Sequence, residues 1–148
     1  MGSTAQDFFS GEEQQAIKLA IENAELDTSG EIRVHIENTV SGDVLDRTAF
    51  LFTRLGMDKT ARRNGVLIYL AVKNRRFAII GDAGINKVVP ENFWDDIKSQ
   101  MLLHFRQGKF ADGLVRAINL AGIQLKKHFP YQHGDVNELT NEISFGKE

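Results

Sequence analysis

The sequence contains no cysteine and only 2 prolines, and no apolar run in it approaches the roughly 20 residues needed to span a bilayer. Without cysteine there are no disulfides, thiolate metal sites, iron–sulfur clusters or cysteine nucleophiles, so any cation site must draw on oxygen or imidazole ligands. An excess of one charge is also missing. The 18 Lys+Arg against 20 Asp+Glu leave a net charge of -2, which argues against the basic footprint of a nucleic-acid-binding domain. The pairs Arg62-Arg63, Arg75-Arg76 and Lys126-Lys127 are read as solvated. Met1 to Ser10 carries Asp7 and no basic residue ahead of a hydrophobic stretch, so a soluble, cytoplasmic chain is expected. A periplasmic or envelope location stays open if a signal peptide has been removed.

What is present is a chain of 148 residues, 42% of them hydrophobic, which suits one domain with a real core. Ser10 with Glu13 forms a capping-box pattern ahead of Ala16, Ile17, Ala20, Ile21 and Ala24, predicting a helix to about Leu26. Glu31 to Glu37 then alternate, with Ile32, Val34 and Ile36 on one face and Glu31, Arg33, His35 and Glu37 on the other. That pattern predicts a half-buried strand with His35 exposed. A second helix is expected from an Asp43 N-cap through Leu45, Ala49, Phe50, Phe52 and Leu55 to a Gly56 stop.

Gly65 to Val72 is apolar without alternation, as for a central strand covered on both faces. Lys73-Asn74-Arg75 turns the chain, and Phe77 to Ile80 returns it as the antiparallel partner. Pro90 suits the first position of a third helix running through Phe93, Trp94, Ile97, Met101 and Phe105 to Gly108. A fourth helix runs from about Phe110 to Pro130, and a last short one is expected over Asn137 to Ile143. A strand, a helical crossover and a second strand imply a parallel pair, so the fold class is α/β: a three-layer α/β/α sandwich with a small mixed sheet, β-α-β plus a hairpin strand. The domain is placed at residues 8–130, with 131–148 as a C-terminal extension.

This topology brings the starts of the first two strands and the end of the third to one rim, where Glu31, Asn64 and Asp82 converge. Two carboxylates about 4 Å apart repel by roughly 4 kcal/mol at an effective dielectric of 20, so the pair must protonate, separate or hold a cation. A hard divalent ion fits oxygen ligands of this kind, Ca²⁺ better than Zn²⁺, with Mg²⁺ or Mn²⁺ as substitutes. Glu91 and Asp95 could add ligands from the third helix. The competing reading is that these acids are ordinary solvated caps and helix-dipole partners. Gly81-Asp82-Ala83-Gly84 lacks the features of a nucleotide phosphate loop and reads as a turn needing positive φ. His35, His104, His128 and His133 show no paired zinc-hydrolase spacing, and without a Gly-x-Ser-x-Gly elbow a serine triad is not expected.

At these same residues the chain resembles the TPM-domain family, named after a thylakoid lumen protein, a photosystem II repair protein and a nematode receptor modulator. The resemblance spans about Phe8 to Phe129. It rests on Thr28-Ser29-Gly30-Glu31-Ile32-Arg33-Val34, Leu55-Gly56-Met57 with Thr60, Arg63-Asn64-Gly65-Val66-Leu67-Ile68-Tyr69, Gly81-Asp82-Ala83-Gly84-Ile85, Phe93-Trp94, and Gly108 followed by Gly113-Leu114. It implies an α/β/α sandwich, Ca²⁺ or related cations bound in some members, and acid phosphatase activity ascribed to a plant member. The leading expectation is therefore a soluble domain binding a divalent cation through Glu31, Asn64 and Asp82. The alternatives are a metal-linked acid phosphatase acting on phosphomonoesters and a non-catalytic protein-interaction module regulating a membrane complex.

Overall fold

The computed structural model describes residues 5–131 and 141–146. After a single turn of helix, α1 (Ala5–Phe8), helix α2 (Gly11–Glu25) opens on the expected capping box: Ser10 accepts from the Glu13 amide, and the Glu13 carboxylate accepts from the Ser10 amide. Strand β1 (Glu31–Glu37) leads to α3 (Val44–Arg54), whose first turn donates two amides to the Asp43 carboxylate. Gly56, at φ +75°, ends that helix in the left-handed conformation that glycine tolerates without strain. A single 3-10 turn, Met57–Lys59, precedes β2 (Gly65–Ala71), β3 (Arg76–Gly81), α4 (Ala83–Asn86), α5 (Phe93–Arg106), α6 (Phe110–His128) and β4 (Ser144–Phe145).

The sheet order is β3-β2-β1-β4, with β2 and β4 both parallel to β1 and β3 antiparallel to β2. The expected parallel pair and hairpin are thus present, in an α/β/α sandwich. Ile32, Val34, Ile36, Val66, Ile68 and Leu70 face α2, α5 and α6, and this side holds the larger core. Fully burying each such side chain contributes about 1.5–3 kcal/mol. A Cβ on Gly122 would come within 2.7 Å of the Ala24 Cβ, so glycine there is what lets α6 close on α2. On the other face Leu67, Tyr69 and Ala71 pack beneath Leu51 and Phe52 of α3.

Four local expectations are corrected. Strand β1 is buried on both faces, and His35 is only 4% exposed, because the layer that carries α3 covers the face expected to meet water. The helix after Pro90 starts at Phe93, three residues late, since the Phe93 amide first closes a turn on the Pro90 carbonyl. Asp82 to Asn86 is a capped helical turn, and Gly84 has no positive φ; it is glycine because a Cβ would lie 2.2 Å from the Arg62 carbonyl oxygen. Of the short helix expected over residues 137–143, the first four residues lie outside the described residues, and 141–143 are not helical. The chain instead supplies β4, an edge strand with no alternating stretch long enough to announce it.

Candidate functional site

The rim forms in its backbone as the topology requires. The Glu31 amide donates to the Asn64 carbonyl at 3.4 Å, and the Asp82 amide donates to the Gly65 carbonyl at 2.9 Å. The side chains, however, do not gather as ligands: Asp82 is taken up by neighbouring donors, while Asn64 Oδ1 and Glu31 Oε2 are buried and make no hydrogen bond among the described residues. Asp82, 6% exposed, accepts from Arg63 Nε at 2.7 Å and Nη2 at 2.8 Å, and from the Ala83 amide at 2.7 Å. Asn64 is buried and donates through Nδ2 to Ser29 Oγ at 3.2 Å. Glu91 and Asp95 stand exposed at the start of α5.

Among the described residues no group of three or more His, Cys, Asp or Glu side chains could hold a metal ion. This overturns the cation-binding reading at Glu31, Asn64, Asp82, Glu91 and Asp95, the Ca²⁺ (or Mg²⁺, Mn²⁺) cofactor and the metal ion as partner. The metal-linked acid phosphatase falls with them, because its chemistry ran through that ion. The physical reason is local: Arg63, one residue before Asn64, brings a fixed guanidinium charge to Asp82, so the carboxylate is neutralised without a metal. The other acidic contact takes the protonation route. Glu25 lines an open cavity of about 440 Å³ with Glu22 and Glu31, and its Oε2 accepts from the Ile32 amide at 2.7 Å. Burial, then the charges of Glu31 and Glu22, push its carboxyl up to about 8 against the opposing pull of that hydrogen bond.

The densest set of perturbed ionisable groups lies elsewhere, on the face of the sheet that carries α3. His35 and Glu37 are two apart on β1 and share that face; Tyr69 on β2 and Ser144 on β4 both stand at the register of His35. His35 Nδ1 is 2.8 Å from Ser144 Oγ, and His35 Nε2 is 3.3 Å from Glu37 Oε2. Glu37 is held in turn by the Tyr69 hydroxyl at 2.6 Å and by Arg47 of α3, at 3.0 Å from Nε and 2.5 Å from Nη2. The His35 and Tyr69 rings lie nearly parallel, 6.1 Å apart.

These contacts set the charge states. Burial alone would raise Glu37, but hydrogen bonds from Arg47, Tyr69 and His35 outweigh it and bring the carboxyl to about 2. Burial lowers His35, aided by the charges of Arg47 and Arg33 and opposed by Glu37, so the imidazole is neutral at pH 7. Burial and the bond to Glu37 raise Tyr69, keeping it a donor. A carboxylate can only accept, so the 3.3 Å approach of Glu37 favours the tautomer with the proton on Nε2, although Nε2 makes no hydrogen bond of full geometry among the described residues. The Nδ1 lone pair is then left for the Ser144 hydroxyl. Ser144 itself is half-buried, whereas His35 is buried.

The arrangement sets a hydroxyl on one side of a neutral imidazole and a carboxylate on the other, the residue types that activate a serine nucleophile when the base is oriented. Sequence reasoning missed it because it looked for a strand-to-helix elbow, whereas here the hydroxyl arrives on an edge strand paired in parallel with the strand of the base. The i, i+2 spacing of His35 and Glu37 was a usable signal. Nothing local marks Ser144, which is 109 residues from His35 in sequence.

A family model described as the TPM domain matches residues 3–123. The chain belongs to the TPM-domain family. This TPM domain is similar in structure to the BA42 protein of the psychrophilic bacterium Bizionia argentinensis, solved by NMR. The two are 50% identical over 95% of this chain and 97% of that one, with a TM-score of 0.87. Two more distant solved structures share the fold. The N-terminal domain of a P. gingivalis protein is 22% identical over 84% of this chain and 83% of that one, at a TM-score of 0.69. The N-terminal domain of the cg2496 protein of Corynebacterium glutamicum is 17% identical over 80% and 74%, at 0.64. No curated protein matches the chain. Among the described residues, no helix of this TPM domain is long and apolar enough to cross a membrane.

Proposed function

We propose that this TPM domain is a serine-dependent acyl hydrolase acting on carboxylic esters, with Ser144 as nucleophile, His35 as general base and acid, and Glu37 as the group that orients His35. The observation that carries the reading is the pair of contacts His35 makes, 2.8 Å to the Ser144 hydroxyl and 3.3 Å to the Glu37 carboxylate. The second is a close contact that lacks hydrogen-bond geometry, and the reading requires it to tighten when substrate binds.

In the first step Ser144 Oγ bonds to the ester carbonyl carbon as its proton moves to His35 Nδ1, and the Glu37 carboxylate balances the imidazolium. Collapse of the tetrahedral intermediate breaks the bond to the alcohol oxygen, which takes the proton from His35. Water then repeats the attack on the acyl-serine, giving the carboxylic acid and restoring the hydroxyl. A donor for the developing oxyanion is supplied by strand geometry. The Gly146 amide donates inward to the Ile36 carbonyl, so by parallel-ladder alternation the Phe145 amide, one residue after the nucleophile, points to the open edge.

The test is exposure of the full chain to a neutral fluorophosphonate probe, with the adduct mapped by mass spectrometry. Labelling at Ser144, abolished by Ser144→Ala and slowed by about 10²–10⁴ in His35→Gln, is the expected result. A backbone amide NMR fingerprint verifies that each variant is folded. A folded wild-type chain that takes no label, or takes it at another serine, would overturn the proposal and return the chain to the interaction-module reading.

A further inference from the structure

Arg33 lies on the same face of β1 as Glu31, His35 and Glu37, one same-face step before His35. It is half-buried, and its Nε is fully buried with no hydrogen-bond partner among the described residues. None of the ion pairs that gather Glu37, Arg47, Arg63 and Asp82 includes it. Burial of Nε without a partner disfavours the charged guanidinium, and Arg is the side chain best shaped to take a carboxylate through two parallel N–H groups. The neighbouring Arg47 shows what satisfaction looks like on this face, since it makes that two-pronged contact with Glu37. Two residues along a strand span about 6–7 Å, so a group bound to Arg33 lies within a small acyl chain's reach of the site at His35. The field of Arg33 is felt there, since it is one of the charges lowering the imidazole pKa.

We propose that Arg33 sets the substrate class of this site by binding an anionic group on the acyl portion of the ester, so that half-esters of dicarboxylic acids are preferred over neutral esters. This rests on the acyl-hydrolase reading above, and two measurements keep the two claims apart. The first is turnover of p-nitrophenyl hemisuccinate against p-nitrophenyl acetate by the full chain. The expected result is a ratio of kcat/KM at least about tenfold in favour of the hemisuccinate, carried by KM, diminishing with added salt and falling to about one in Arg33→Met. Partial recovery of the ratio in Arg33→Lys is expected. A ratio near one in the wild type, or one that survives Arg33→Met, overturns the role of Arg33 while leaving a labelled Ser144 intact.

The second measurement does not depend on activity: succinate is titrated into the ¹⁵N-labelled chain and followed at the Arg33 Nε–H resonance. Saturable displacement of that resonance, lost in Arg33→Met through weakening of at least about tenfold at the remaining site signals, supports the assignment even where Ser144 proves unreactive. No displacement at millimolar succinate overturns it.

Discussion

Replacing Glu25 by glutamine tests how the fold handles carboxylates crowded at the start of β1. In the folded chain the Glu25 carboxyl titrates at about 8 against an ordinary value of 4.5. Below pH 4.5 the group is protonated whether the chain is folded or not, and it contributes no penalty. As pH rises, the unfolded chain releases the proton and the folded chain keeps it, so stability is lost progressively and the loss is complete near pH 8. At about 1.36 kcal/mol per pH unit the ceiling over that window is about 5 kcal/mol, and access of water from the adjoining cavity brings the working figure to about 2–4 kcal/mol. Glutamine keeps an oxygen acceptor for the Ile32 amide and removes the titration. Urea unfolding of both proteins at pH 5, 6, 7 and 8 is expected to give near-equal stabilities at pH 5 and a gap that widens with pH in favour of Glu25→Gln. A gap independent of pH would mean that Glu25 is ionised at neutrality and that its burial is tolerated by other means.

Four further outcomes follow from other contacts in the fold. Glu37 titrates at about 2 instead of 4.5, so its ion pair adds stability above pH 4.5, up to about 3 kcal/mol, and loses it as pH falls toward 2; acid titration of Glu37→Gln should lack that component. His35, lowered by burial, adds a loss that begins as pH drops below 6.5, where the unfolded imidazole starts to bind protons. Thr28→Val removes the hydroxyl that donates to the Leu125 carbonyl at 2.9 Å, accepts from the Gly30 amide at 3.1 Å and also meets the Phe129 carbonyl; a loss of about 1–3 kcal/mol is expected in urea unfolding. Gly84→Ala would set a methyl 2.2 Å from one backbone carbonyl oxygen and 2.6 Å from the next, and should lower thermal stability by about 1–3 kcal/mol or more, whereas Gly11→Ala, with open space around it, should not.

The fold was legible where a local pattern and its tertiary environment agree. The Ser10–Glu13 box, the Asp43 cap, the Gly56 stop and the unalternating Gly65–Ala71 run each name their element from a few residues, because capping and burial on two faces leave marks in sequence. The strand at Glu31–Glu37 misled for the opposite reason. Its polar alternation is real, but Glu31, His35 and Glu37 are buried beneath the third layer, and alternation records polarity rather than exposure to water. At the rim, topology correctly brought Glu31, Asn64 and Asp82 together in backbone. What it could not supply was the side-chain geometry by which Arg63, in a left-handed turn at φ +54°, reaches Asp82 before any ion does. The Ser144–His35 pairing depends on an edge strand of two residues arriving from the far end of the chain, and no periodicity can announce so short an element.

The protonation pattern of a single imidazole is the most direct test. In ¹⁵N-histidine NMR at neutral pH, His35 should appear as the Nε2–H tautomer, with an unprotonated Nδ1 facing Ser144 and a titration displaced below that of an ordinary histidine. A proton on Nδ1 instead would make Ser144 an acceptor rather than an activated nucleophile, and the acyl-transfer account would fail.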